Sequence, residues 1–202
     1  MDEELEKWLT HAATPAIARG LLGATLHKGP CAGLIVETEA YLGETDQAAH
    51  AFGGRRTKTN LALWRPAGTV YVYRMRQYCL LNLVTRPEGV PQCVLIRAVE
   101  PTAGVALMTQ RRGRFGQALT SGPGKLCQAF AITLADNGQL LGEGALSLSP
   151  GRTPRAIAAA PRVGVPNKGA ATTAALRFFV AGNPYVSDVK QSQIHPNGGW
   201  QS

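Results

Sequence analysis

Cys93-Val94-Leu95-Ile96-Arg97-Ala98-Val99 is an apolar β-type run broken by one arginine. An unpaired guanidinium inside a strand that is otherwise fit for a core costs several kcal/mol, so the fold must bring a carboxylate to face Arg97. A second run, Gly33-Leu34-Ile35-Val36-Glu37-Thr38-Glu39-Ala40-Tyr41-Leu42-Gly43, is followed after a short acidic turn by Asp46-Gln47-Ala48-Ala49-His50. Side chains alternate faces along a strand, so Glu37, Glu39 and Tyr41 point one way and Val36, Thr38 and Ala40 the other. An edge strand with solvated glutamates would satisfy the same pattern.

The rest of the chain reads as short elements around these strands. Leu5, Trp8 and Leu9 recur at helical spacing before Thr10, and Thr14-Pro15 reads as an N-cap opening a second helix that Gly20 or Gly23 closes. Thr69 to Tyr73 alternates as a strand with Tyr71 and Tyr73 on one face. Gln77 to Thr85 and Gln92 to Val99 are further strands, joined through Arg86-Pro87-Glu88-Gly89. Thr102 is placed to cap a helix ending near Gly113, and Ser121-Gly122-Pro123-Gly124-Lys125 to open one running to about Ala131. Strands are expected within Leu140 to Leu148, Ala156 to Val165 and Leu176 to Ala181, and a frayed polar tail from Gln191. With no repeat or linker, residues 1–202 read as a single α+β domain around an antiparallel or mixed sheet, with an N-terminal helix over about 1–13 and the tail over about 190–202.

Composition narrows the function. The 202 residues are 45% hydrophobic and carry 21 Lys and Arg against 13 Asp and Glu, a formal net charge of +8. That excess suits a polyanionic partner. It sits in glycine-rich segments such as Gly54-Arg55-Arg56-Thr57-Lys58 and Gln110-Arg111-Arg112-Gly113-Arg114, so a structured basic face is expected; part of the second cluster complements a helix C-terminus. Cys31, Cys79, Cys93 and Cys127 are widely spaced in apolar surroundings and read as reduced thiols. No apolar run is long enough to span a bilayer, and the acidic N-terminus lacks the pattern of a signal peptide. The chain is read as cytoplasmic and nucleoid-associated, or nuclear in a eukaryotic source, with no membrane partner.

Several chemistries drop out. Gly122-Pro123-Gly124-Lys125 fails as a phosphate loop because Leu119 and Leu126 stand where glycine and Ser or Thr are needed; Ser121 and Lys125 beside a helix start still suit one backbone phosphate, or simple capping. The four histidines, His11, His27, His50 and His195, are too scattered for a metal set, and no serine elbow occurs, so neither metal nor cofactor is expected. What remains is a carboxylate with aromatics, a buried arginine and a basic surface. That set suits hydrolysis of an N-glycosidic bond in nucleic acid: a carboxylate stabilises the oxocarbenium-like sugar and activates water, and aromatic rings stack on an extruded base.

The same residues carry a resemblance. Ile35 to Gly43 with Ala48-Ala49-His50 resembles the core motif of the alkyladenine (3-methyladenine) DNA glycosylases of the mammalian type. The likeness continues through Gly68 to Tyr73, Cys93 to Pro101, Ser121 to Ala129, Arg162 to Val165 and Leu176 to Val180, covering nearly the whole chain in order. It implies a curved, mainly antiparallel sheet flanked by short helices, and a monofunctional, metal-free enzyme that releases 3-methyladenine, 7-methylguanine and often hypoxanthine from double-stranded DNA. By resemblance Glu39 is the general base, Arg97 holds the water and the carboxylate, and Val163 contributes a backbone carbonyl. Tyr41 and His50 form one wall of the base pocket, Tyr73 the stacking ring opposite, and Asn82 the discriminator against guanine. Apart from the resemblance, the basic loop and the helix start place Arg55, Thr57, Ser121 and Lys125 on the DNA backbone. The family's Tyr-Gly-Met wedge is missing: Tyr73-Arg74-Met75-Arg76-Gln77-Tyr78 is one residue shorter, leaving Met75 or Arg76 for that task. A monomer is expected. A non-catalytic nucleic-acid-binding module on this fold, or a glycosidase of free nucleosides, are the rival readings.

Overall fold

β2 (Cys31–Tyr41) is buried along almost its full length, which is why its residues are apolar or small on one face and must be fully paired on the other. The computed structural model describes residues 3–202, with side chains from Lys7 onward. Around β2 the described strands are β1 (Thr25–Lys28), β3 (Val70–Met75), β4 (Tyr78–Thr85), β5 (Gln92–Ala103), β6 (Leu146–Ser149), β7 (Ile157–Ala160) and β8 (Arg177–Val180). All pair antiparallel in one curled sheet, six in the order β3-β4-β5-β2-β1-β6, with β8 branching from β2 and β7 pairing with β8.

One edge of β2 pairs with β5 throughout. The other edge changes partner, from β1 opposite residues 31–34 to β8 opposite Glu37, Thr38 and Glu39. Bulges in the β2/β5 register fall on either side of Glu37, where the sheet branches. Such irregularities bend a strand and re-aim its side chains. Here two of them flank Glu37.

The helices are short: α1 (Glu3–His11), α2 (Thr14–Gly20), α3 (Val105–Arg112), α4 (Pro123–Ala129) and α5 (Ala170–Thr173). Leu9 is buried and Trp8 packs against the core, as the helical spacing predicts; Leu5's side chain lies outside the described residues. α2 does end at Gly20, where a Cβ would lie 2.5 Å from the Trp8 ring.

Three local expectations are corrected by long-range contacts. Thr14 is not the cap of α2: Ala13 occupies that position, and the buried Thr14 hydroxyl instead reaches Thr85 Oγ1 (2.8 Å) and Gln92 Oε1 (2.6 Å). Thr102 caps nothing either. β5 runs on to Ala103 because Pro101 and Ala103 still pair with β2, and α3 starts only after Gly104, whose left-handed φ of 72° and close approach to Pro30 O exclude a side chain.

The polar tail is not frayed. Trp200 is fully buried, its indole N–H donates to Glu100 Oε2 (2.8 Å), and the Asn183 amide ties Glu100 to Gly198 O. Composition could not anticipate this, since one tryptophan anchors a segment that is otherwise polar. Arg111 and Arg112 are likewise largely spent on the fold, donating to Ala129 O and to Ala118 O, Leu119 O and Gln128 Oε1. All four cysteines are free.

Candidate active site

Glu37 and Glu39 both reach Arg97, which answers the demand that β5 imposed, but they do so in different environments. Glu37, with no solvent exposure, accepts from Arg97 Nε (3.0 Å), Arg177 Nη1 (3.1 Å), the Ser187 amide (2.8 Å) and the Ser187 hydroxyl (2.8 Å). Four protein donors hold it, three on Oε1 and one on Oε2, and it does not line the cavity. Glu39 lies 3.3 Å from Arg97 Nη1, accepts the Val163 N–H on Oε1 (2.7 Å) and the Tyr41 hydroxyl on Oε2 (2.9 Å), and lines a cavity of about 230 Å³. Three of its roughly four acceptor positions are taken, which leaves one on Oε2. Burial raises the Glu39 carboxyl above its ordinary value; Arg97, the Val163 amide and Tyr41 oppose that rise, and Glu37 adds to it.

The cavity is aromatic and polar together. Tyr41, His50, Tyr71, Tyr73, Met75, Asn82, Arg97 and Val163 line it, with Pro123 at the start of α4. Its volume far exceeds the ~15 Å³ that one water needs on this measure. Cys93 lines it as a neutral thiol, since burial pushes its value up to about 12. No lysine is among the lining residues.

Two of the cavity's rings lie against each other. His50 and Tyr73 touch, with centroids 4.0 Å apart at 48°, and form one continuous aromatic surface. Tyr71 also contacts the imidazole, its buried hydroxyl 2.8 Å from His50 Nδ1 and its ring edge-on to it. Burial and then Arg55 lower the His50 value, so the ring is neutral at pH 7. Asn82 donates to Tyr71 O (3.1 Å) and Leu80 O (3.3 Å), and its Oδ1 accepts a long hydrogen bond from Cys93 Sγ (3.9 Å).

The β3–β4 hairpin turns through Arg76 and Gln77 beside the cavity. Met75 and Tyr78 pair across its tip, 49% and 43% exposed. Arg76 takes a φ of 55° where turns favour Gly or Asn. Strain of that kind costs about 1–3 kcal/mol and collects at functional sites.

Arg55 and Thr57 belong to a second hollow of about 320 Å³ that shares His50, Tyr71 and Tyr73 with the first and adds Lys168. Asn60 shapes this loop, accepting the Thr57 N–H (2.7 Å) and donating to His50 O (3.2 Å) and Arg55 O (2.9 Å). Lys125 is exposed on α4, and Ser121, half-buried, bridges to Ala98 just before it.

Sequence reasoning missed Ser187, Asn60, Lys168, Tyr78 and the pair Asp46–Arg162. The unpaired charge of Arg162 in an apolar-flanked segment was the one available signal. No group of three or more His, Cys, Asp or Glu that would hold a metal occurs among the described residues.

The family model described as Methylpurine-DNA glycosylase matches residues 8–184. A Lactiplantibacillus plantarum protein named "Putative 3-methyladenine DNA glycosylase" is 48% identical over 205 residues, covering 98% of each chain. Proteins of the same name from Listeria monocytogenes (47% over 187 residues, 90% of each chain) and Bacillus subtilis (48% over 176 residues, 85% of this chain and 90% of the other) are similar too. With a model matching most of its length and relatives of this identity aligned nearly end to end, the chain belongs to the methylpurine-DNA glycosylase family.

Proposed function

We propose that the chain is a monofunctional glycosylase that flips alkylated purines, 3-methyladenine and 7-methylguanine among them and hypoxanthine as a further candidate, out of double-stranded DNA. It then hydrolyses the N-glycosidic bond with an activated water. The observation that carries this reading is Glu39: a buried carboxylate held by Arg97, the Val163 amide and Tyr41, opening onto an aromatic cavity that presents no amine. Without an amine nucleophile the attacking group is water, and the free acceptor position on Glu39 takes its proton as the C–N bond breaks. The ionised carboxylate also stabilises the positive sugar.

Arg97 orients Glu39 while Glu37 neutralises the rest of its guanidinium, so the arginine adds no net charge against the oxocarbenium ion. Tyr41, His50 and Tyr73 receive the base, where electron-rich rings favour a purine made cationic by alkylation. Asn82 reads its edge. Met75 and Arg76, with Tyr78 beside them, fill the space the base leaves, apolar side chains being suited to an unstacked step. Arg55, Thr57, Ser121 and Lys125 hold phosphates. The protein acts as a monomer without cofactor, at the nucleoid.

The test is release of base from a panel of single-lesion duplexes and free nucleosides. Release from alkylated duplexes alone is the expected result; binding without release, or release from nucleosides alone, overturns the reading. Replacing Arg55 or Lys125 by Ala is expected to weaken duplex binding and flatten the dependence of log K on log salt by up to about 0.9 for each phosphate no longer neutralised. A slope equal to wild type removes that residue from the interface.

A further inference from the structure

We propose that Asp46 and Arg162 are positioning residues of the excision site: their buried ion pair sets the Val163 N–H onto Glu39 and fixes the plane of Tyr41. This rests on the glycosylase reading above. Arg162 Nη1 lies 2.6 Å from Asp46 Oδ2 and Nη2 lies 2.9 Å from Oδ1, an end-on fork with both side chains almost wholly buried. The same guanidinium donates to Ala40 O (2.9 Å), between Glu39 and Tyr41 on β2, and to Ala171 O (3.3 Å), and it lies 4.6 Å over the Tyr41 ring. Asp46 in turn accepts the Leu42 N–H and the Ala48 N–H, both at 3.0 Å.

One pair therefore joins the end of β2, the loop that presents Ala48 to His50, and the loop that presents Val163 to Val165, all of which line the cavity. A staple of loops alone would need only the carboxylate and the fork. The Ala40 carbonyl and the Tyr41 ring add a fixed relation to the strand that carries Glu39, and the residue after Arg162 is the one whose amide holds it. Arginine suits the task because its planar fork keeps orientation where an ammonium does not.

The consequence is a shift in the acid limb of the reaction. Glu39 is faced by Arg97 from β5, Glu37 and Tyr41 from β2, Arg177 from the adjoining β8, and Arg162 with Val163 from the loop after β7. The Val163 N–H is one of the bonds that favours the ionised form, so its displacement moves Glu39 further up.

Arg162→Lys keeps a cation opposite Asp46 but loses the fork; Asp46→Asn keeps the shape but loses the charge. Each is to be compared with wild type by thermal melting, by affinity for a 7-methylguanine duplex and by single-turnover release across pH. The expected result is a folded protein that binds within about 3-fold of wild type and releases base about 10- to 100-fold more slowly at neutral pH, as small misplacements of a catalytic group do; in Arg162→Lys, where both charges are kept, the acid limb moves to higher pH. A folded variant with wild-type rate and limb overturns the proposal, as does a loss confined to affinity or failure of both variants to fold, either of which makes the pair a scaffold. A wild-type control that releases no base at any pH overturns the glycosylase reading itself.

Discussion

Glu39→Gln is expected to bind lesion duplex as wild type does and to release 7-methylguanine about 10²- to 10⁴-fold more slowly in single turnover, the range that a positioned general base supplies. Glutamine keeps the shape and still accepts from Val163 or Tyr41, but it cannot take a proton from water. The wild-type rate should fall as pH drops through the Glu39 value, which burial holds above the ordinary carboxylate range. The variant should have lost that limb. Near-normal release would dismiss Glu39 as the base.

The same substitution has an opposite effect on the fold. A carboxyl whose native value is raised holds its proton more tightly when folded, so its contribution to stability falls as pH rises from the unfolded value through the native one. At neutral pH the ionised Glu39 is a net cost. Glu39→Gln should therefore melt no lower than wild type at pH 7, because Glu37 still pairs with Arg97. A site held at the expense of stability is common where charge must be kept ready in a cavity.

Glu37→Ala, two residues away, should do the reverse. It strips a fully buried carboxylate from Arg97, Arg177 and Ser187, leaving two guanidinium groups short of their counter-charge and a buried amide without an acceptor. Breaking a buried pair from one side costs about 3–5 kcal/mol, a large share of the roughly 5–15 kcal/mol that holds a typical protein folded. At about 2–4 °C per kcal/mol for a chain of this size, the melting midpoint should drop by ~6–20 °C. Thermal unfolding followed by circular dichroism checks this, and a midpoint within 2 °C of wild type, on the order of one weak surface interaction, would refute the anchoring role of Glu37.

The contrast between these two glutamates shows what could be read early and what could not. Alternation along β2 put Glu37, Glu39 and Tyr41 on one face, and the lone charge in β5 demanded a carboxylate; both follow from local geometry and from the cost of a buried ion, and both appear in the fold. The positions of β3, β4, β7, β8 and the helix end at Gly113 were legible for the same reason, since periodicity and glycine stereochemistry act within a few residues. Thr14 and Thr102 misled because a hydroxyl beside a helix start reads as a cap until a distant strand claims it or its backbone.

The resemblance singled out Glu39, but what anchors Glu37 and what opens Glu39 to the cavity was decided in three dimensions. Glu37 is filled by Ser187, 150 residues on, and Glu39 is oriented by Val163, 124 residues on. Asp46 and Arg162 meet across 116 residues, and Trp200 buries a tail whose composition is that of a loose end. The sequence by itself determined the strands, the buried charge and the residue types that handle an N-glycosidic bond, because those depend on side-chain chemistry and on spacing within one element. Only the tertiary structure decided which atoms meet, because carboxylates identical in type and direction differ physically only in what the branching of the sheet at β2 brings against each.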